Sequence, residues 1–261
     1  MGTVLDKIVA HKRVEIDRSK RARPFEMLEE RLAEAAPIRD FTAALSTAEG
    51  MGLIAEVKRA SPSAGVIRED FDPVAIAKIY SQHGAACISV LTDEHFFQGR
   101  LEFLSDVRQA VDMPLLRKDF LLDRYQVLEA RLAGADCVLL IAECLDEARL
   151  RELFEFAAEL GMQSLVEFYE PENIDMVRNL APPLVGINNR NLKTFETNLE
   201  HSIRLSRHFP PETLVVSESG IHNAEDVERL RQAGIQGMLV GETLMRSSDI
   251  GARLDELLGN R

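Results

Sequence analysis

From Leu53 onward the chain alternates short apolar runs with longer stretches in which apolar residues recur every three or four positions. The runs are LIAEV (53–57), CISVL (87–91), PLLRK (114–118), CVLLIAE (137–143), QSLVEF (163–168), PLVGIN (183–188), LVVSES (214–219) and GMLVGE (237–242). Short runs without polar alternation are the mark of strands buried on both faces of a parallel sheet. Between them lie helical patterns at 74–83, 124–133, 145–160 and 224–233, followed by Gly84, Gly134, Gly161 and Gly234. Glycine just past the last turn is a common helix stop. The junctions HGAAC, AGADC, LGMQS and AGIQG repeat the same phrase, so a βα unit recurs along the chain. Eight strands in such units predict an α/β fold, a closed (β/α)8 TIM barrel rather than an open sheet.

Residues 1–50 precede the first strand and hold two helix-like segments, VLDKIVAHKRVEI (4–16) and PFEMLEERLAEAA (24–36). Their apolar spacing suits an amphipathic face, which serves equally for packing against the barrel or a partner and for a lid over its mouth. The reading is one barrel domain over 1–261, with 1–50 as an N-terminal helical extension. A chain of 261 residues, 46% of them hydrophobic, can bury a core of that size in one piece.

The formal net charge of −12 argues against nucleic acid as a partner, because phosphate-backbone binders carry basic stripes. The longest apolar run falls far short of the roughly 20 residues of a membrane span, and the early, even charges do not suit a signal peptide. A cytoplasmic protein with no membrane partner is expected, as a monomer or weak homo-oligomer. The three cysteines, Cys87, Cys137 and Cys144, lack CxxC spacing and read as reduced core residues. The six histidines show no ligand spacing, so no metal is assigned.

Barrel enzymes place their working residues at the C-terminal strand ends. Here the first strand ends Glu56-Val57-Lys58, and two-residue spacing puts both charges on one face. The third ends Lys118-Asp119-Phe120, the fourth in Glu143, the fifth in Glu167, the sixth in Asn188-Asn189-Arg190 and the seventh in Glu218-Ser219-Gly220. Any one of these could be half of a buried ion pair. As a set they are a costly way to gain stability, because each buried charge costs several kcal/mol. Lysine, unlike arginine, can bind an anion and also surrender a proton, and a nearby glutamate can accept one. Ser217 to Gly220 and Val240 to Thr243 each follow a strand and precede a helix. Glycine there lets backbone amides approach a phosphate at the last two strands, a frequent phosphate site of this fold. Cys144 follows a strand-end glutamate with no histidine at a comparable position, which argues against a nucleophile.

The motifs IAEVKRASPSAG (54–65), LTDEHFFQG (91–99), LLRKDF (115–120), LVEF (165–168), GINNRNL (186–192) and SESGI (217–221) resemble those of the indole-3-glycerol phosphate synthases, in the same order and at six strand ends. The resemblance runs from about residue 50 to the end, and the N-terminal helices are similar to that family's extension. It implies conversion of 1-(2-carboxyphenylamino)-1-deoxyribulose 5-phosphate to indole-3-glycerol phosphate, with loss of carbon dioxide and water and without cofactor. By the same resemblance Lys118 matches the general acid, Lys58 a lysine that contacts the substrate carboxylate, and Glu167 a catalytic glutamate. Glu56, Asn188, Glu218 and Ser219 match residues that orient these groups and bind substrate. Ser61, Gly220, Gly241 and Glu242 match the phosphate site, Pro62, Phe96 and Phe120 the wall around the aromatic ring, and Arg190 an element of the motif. A phosphoribosyl isomerase barrel would share the phosphate loops but has no need of the EVK and KDF pair. A noncatalytic sensor has no need of Lys58, Lys118 and Glu167 at three separate strand ends.

Overall fold

A computed structural model describes residues 3–191 and 194–259. Eight parallel strands close into a barrel: β1 (Gly52–Val57), β2 (Cys87–Leu91), β3 (Leu115–Lys118), β4 (Cys137–Ile141), β5 (Gln163–Phe168), β6 (Leu184–Asn188), β7 (Leu214–Glu218) and β8 (Gly237–Val240). Each pairs with its sequence neighbours, and β8 returns to β1 with Gly52 opposite Gly237 and Ala55 opposite Val240. The TIM barrel read from the apolar runs is therefore the fold observed. Several runs end one or two residues early. Ala142–Cys144 turns into a short 3-10 helix, and Glu242 opens the four-residue helix Glu242–Met245.

The principal helices are α1 (Val4–Ala22), α2 (Pro73–Gln82), α3 (Leu101–Ala110), α4 (Arg124–Leu132), α5 (Glu147–Glu159), α6 (Ile174–Leu180), α7 (Glu200–Leu205), α8 (Ala224–Gln232) and α9 (Ile250–Leu258). Starts are fixed by side chains that accept otherwise orphaned amides: Asp72 before α2, Asp123 before α4, Asp146 before α5 and Asn223 before α8. Gly134, with φ of 92°, ends the α4 segment in the left-handed region open to glycine.

Two layers of core result. The outer one lies between strands and helices, and the inner fills the barrel with Ile54, Leu116, Leu139, Leu165 and Leu239. The short helix Phe41–Ser46 plugs the strands' N-terminal end with Phe41 and Leu45. The segment expected as one helix over 24–36 forms only Phe25–Glu29 and a 3-10 turn at Leu32–Glu34. α1 lies across the other end of the barrel, burying Ile8, Lys12 and Ile16 at four-residue spacing.

Candidate active site

A pocket opens at the C-terminal ends of the strands. Fourteen of the fifteen residues matched through the family resemblance line it; Phe96 does not. Phe96 turns instead to the rings of His11 and His95. Its neighbour Phe97 faces the pocket and packs near Phe120. Adjacent residues of the helix Glu94–Phe97 point about 100° apart, so only one of the two phenylalanines can serve as a wall.

At the floor, Lys118 from β3 places Nζ 2.6 Å from Glu167 Oε2 and 3.0 Å from Glu218 Oε2. Burial opposes the charge of the lysine, but the carboxylates of Glu167, Glu218 and Glu56 overcome it and raise its pKa above the ordinary lysine value. Asn188 on β6 donates to Glu167 Oε1 at 3.1 Å and, through its own oxygen, accepts the Arg190 amide at 2.9 Å. The two glutamates are driven apart. For Glu218, burial and the like charge of Glu167 push the pKa up to about 8. For Glu167, burial is outweighed by the Lys118 ammonium and by hydrogen bonds, and its pKa falls. Near neutral pH one carboxyl is an acid and its neighbour a base.

Glu56 and Lys58, on one face of β1 as the spacing predicts, form an ion pair of 2.7 Å. A short antiparallel hairpin, Ala60–Ser61 with Gly65–Val66, follows and brings Ser61 and Pro62 to the rim. Two glycines make room for carboxylates. A Cβ on Gly241 would sit 2.1 Å from Glu56 Oε2, and one on Gly186 would sit 2.2 Å from Glu218 Oε1. Ser219 and Gly220 both have positive φ, 68° and 75°, so the chain turns sharply at the mouth after β7. For serine this conformation costs of order 1–3 kcal/mol, a strain found chiefly at functional sites. Arg190 reaches across to Glu242 at 3.2 Å.

Other strand-end charges serve the scaffold. Glu143 accepts from the Tyr169 and Glu170 amides and from Asn173, and it stands outside the pocket. Asn189 ties together Ser217, the Ser219 carbonyl and Ser202. The Cys144 thiol is pushed up by burial and by the nearby Glu143 and Glu167, the opposite of an activated nucleophile. Among the described residues no group of His, Cys, Asp and Glu is arranged to hold a metal ion. Leu192, the last residue of the GINNRNL motif, lies outside the described residues.

Sequence reasoning missed Val4, Leu5 and Ile8 of α1, which roof the pocket, and Leu139 and Ile141 of β4, which line it beneath. The latter pair alternates along a strand and so was detectable in principle as inward-facing. For α1 the apolar face was visible but its destination was not. His222 also lines the pocket, at the phosphate-loop end beside Thr243.

The family model for indole-3-glycerol phosphate synthase matches residues 5–257. The chain belongs to the indole-3-glycerol phosphate synthase family. It is 54% identical over 258 residues to the indole-3-glycerol phosphate synthase of Rhodopirellula baltica, covering 99% of this chain and 100% of the relative. It is 47% identical over 262 residues to that of a Polaromonas species, covering 99% of each. Among solved structures, a 3-hexulose-6-phosphate synthase superposes with a TM-score of 0.65 at 15% identity, over 80% of this chain and 99% of the other. A tryptophan synthase complex from Pyrococcus furiosus gives 0.59 at 16%, over 80% of this chain and 97% of the matched chain. At such identities the superpositions speak for the barrel alone, while the family match speaks for the chemistry.

Proposed function

We propose that the pocket binds 1-(2-carboxyphenylamino)-1-deoxyribulose 5-phosphate with its aromatic ring toward Phe97, Phe120 and the α1 roof and its phosphate toward Ser61, Gly220 and Gly241. The family's reaction closes the pyrrole ring with loss of carbon dioxide and water, which makes the chain a carboxy-lyase of tryptophan synthesis. The observation that carries the assignment of roles is the Lys118 ammonium held 2.6 Å from Glu167 and 3.0 Å from Glu218.

In the first step the ring carbon that bears the carboxylate bonds to the ketone carbon, and the ketone oxygen takes a proton from Lys118. The electrons of the bond to carbon dioxide then return to the ring as that bond breaks. Lys58 orients the departing carboxylate and later protonates the hydroxyl, which leaves as water. Glu167 removes the last ring proton, and its contact with Lys118 returns that proton to the lysine. Two protons are given and one is taken, which matches the single proton that a decarboxylation consumes. Glu56, Asn188 and Ser219 hold these groups and the substrate hydroxyls, and Glu218, protonated, donates rather than repels. Arg190 and Glu242 brace the phosphate end through their ion pair.

We place the reaction in the cytoplasm, where free thiols such as Cys87 and Cys137 persist, and assign a monomer or weak homo-oligomer. Purified protein given the carboxyphenylamino-deoxyribulose phosphate in chelating buffer is expected to generate indole absorbance. Lys118→Ala is expected to turn over at least about 10²-fold more slowly. Unchanged turnover in that variant would remove Lys118 from the acid role.

A further inference from the structure

Lys12 is fully buried although it belongs to the N-terminal extension, and the reaction as described makes no use of it. It lies one turn beyond Ile8 on the same face of α1, so the helix that roofs the pocket with Val4, Leu5 and Ile8 also drives an ammonium against the segments that follow β2 and β3. There Nζ lies 2.9 Å from Asp93 Oδ2, 2.9 Å from Asp119 Oδ1 and 3.0 Å from Glu15 Oε2. Burial opposes its charge, and Asp119, Asp93 and Glu15 together restore it, raising its pKa above the ordinary lysine value.

Both barrel carboxylates sit beside working elements. Asp119 lies between Lys118 and Phe120, and both of its carboxylate oxygens are engaged there. Its Oδ1 accepts the Phe120 amide at 2.8 Å, and its Oδ2 accepts from Thr92 at 2.7 Å and from Arg117 at 3.2 Å. The Lys118 carbonyl in turn accepts the Thr92 amide at 3.1 Å. Asp93 Oδ1 accepts the Phe96 amide at 2.7 Å and so starts the helix that carries Phe97 into the pocket. Among the described residues, Asp93 Oδ2 is held by the ion pair with Lys12 and by no further hydrogen bond.

We infer that Lys12 is a positioning residue that couples docking of the N-terminal helix to alignment of Lys118, so that the pocket roof and the proton donor are set by one buried ammonium. The inference rests on the reading of Lys118 as the acid. Without Lys12, two carboxylates share a buried site in which, among the described residues, Arg117 is the remaining ion-pair partner and pairs with Asp119 alone of the two, and the peptide between Lys118 and Phe120 must shift to reach water or another cation. A displacement of about 1 Å at a reacting group can cost about 10²-fold in rate, whereas a loosened pocket wall weakens binding.

The test compares Lys12→Met, Asp119→Asn and Leu5→Ala in the full chain, with kcat and KM measured well below each variant's melting temperature. Leu5 touches the pocket and not the ion cluster. Leu5→Ala is expected to raise KM about three- to tenfold with kcat nearly unchanged. Lys12→Met is expected to lower kcat at least about tenfold, by more than KM rises. Asp119→Asn keeps the side-chain shape and leaves Lys12 paired with Asp93 and Glu15. It should show the same kcat loss, and it decides the matter if Lys12→Met does not fold. Folded variants with kcat within about twofold of wild type, or with a loss confined to KM as in Leu5→Ala, would overturn the inference. If wild type itself makes no product, the assigned reaction fails instead.

Discussion

At Gly186 a single methyl group separates a working site from a blocked one. A Cβ there would meet Glu218 Oε1 at 2.2 Å, so the carboxyl must move away from β6 to make room for it. Gly186→Ala is expected to push Glu218 off Lys118 and cut kcat by about 10–10²-fold with the barrel still folded, as judged by circular dichroism. Wild-type turnover would mean that the placement of Glu218 does not matter. The pKa split between the glutamates gives a second test. Glu218 keeps its proton up to about pH 8, and above that pH it adds a second negative charge beside Glu167 and tightens the hold on the Lys118 proton. Turnover at saturating substrate should decline above about pH 8 in wild type. Glu218→Gln, fixed in the neutral form, should lose that decline while remaining far more active at pH 7 than Glu167→Gln. An identical basic limb in Glu218→Gln would assign the decline to another group. Residues of this kind were legible where local spacing decides their direction, as for Glu56 and Lys58. The partnership of Lys118 with Glu218 spans a hundred positions and follows only from closure of the barrel. The motif points to Phe96 as a wall residue whereas Phe97 faces the pocket, because adjacent aromatic residues give a short helix no unique face.

The barrel strands were the easiest elements to read, because strands covered on both faces leave uninterrupted apolar runs. The short pieces were not: the hairpin at Ala60–Ser61, the plug Phe41–Ser46 and the single-turn helices owe their form to tertiary contacts rather than to periodicity. α1 is the instructive case. Its pattern predicted a helix with an apolar stripe, yet Lys12 within that stripe looks like an interruption until Asp93 and Asp119 are seen opposite it. That docking should be acid-labile. The Asp119 carboxyl faces a burial penalty, which Lys12 and Arg117 more than offset, and its pKa drops from 3.8 to about 2. Because the folded value is the lower one, the stabilisation is present above the unfolded value and fades as pH falls through about 2. The shift corresponds to about 2 kcal/mol. Urea unfolding between pH 5 and 2 should show this loss in wild type, and Asp119→Asn should be less stable at pH 5 with a flatter pH dependence. An unchanged slope in the variant would place the acid sensitivity elsewhere.

Over the whole molecule, eight strand ends converge on one mouth, and this explains why residues scattered from position 56 to position 242 could be read together once the strand count was known. The same closure produces an electrostatic tension. The chain has a formal net charge of −12, and near neutral pH the mouth presents Lys58, Lys118 and Arg190 against Glu56, Asp119, Glu167 and Glu242, with Glu218 protonated. Within the mouth each cation is already engaged by a glutamate. A substrate carrying a carboxylate and a phosphate therefore approaches against a net repulsive field and meets free positive character only at contact, where amides and lysines are rearranged around it. Screening acts on the approach and hardly on the contact, since the Debye length shrinks from about 30 Å at 0.01 M salt to about 8 Å at 0.15 M. The association rate constant, followed by stopped-flow fluorescence on the ring-closed product, should thus rise as potassium chloride is raised over that range, while the dissociation rate changes less. A fall with salt would show that the local cations, not the net charge, govern the field felt by an incoming anion.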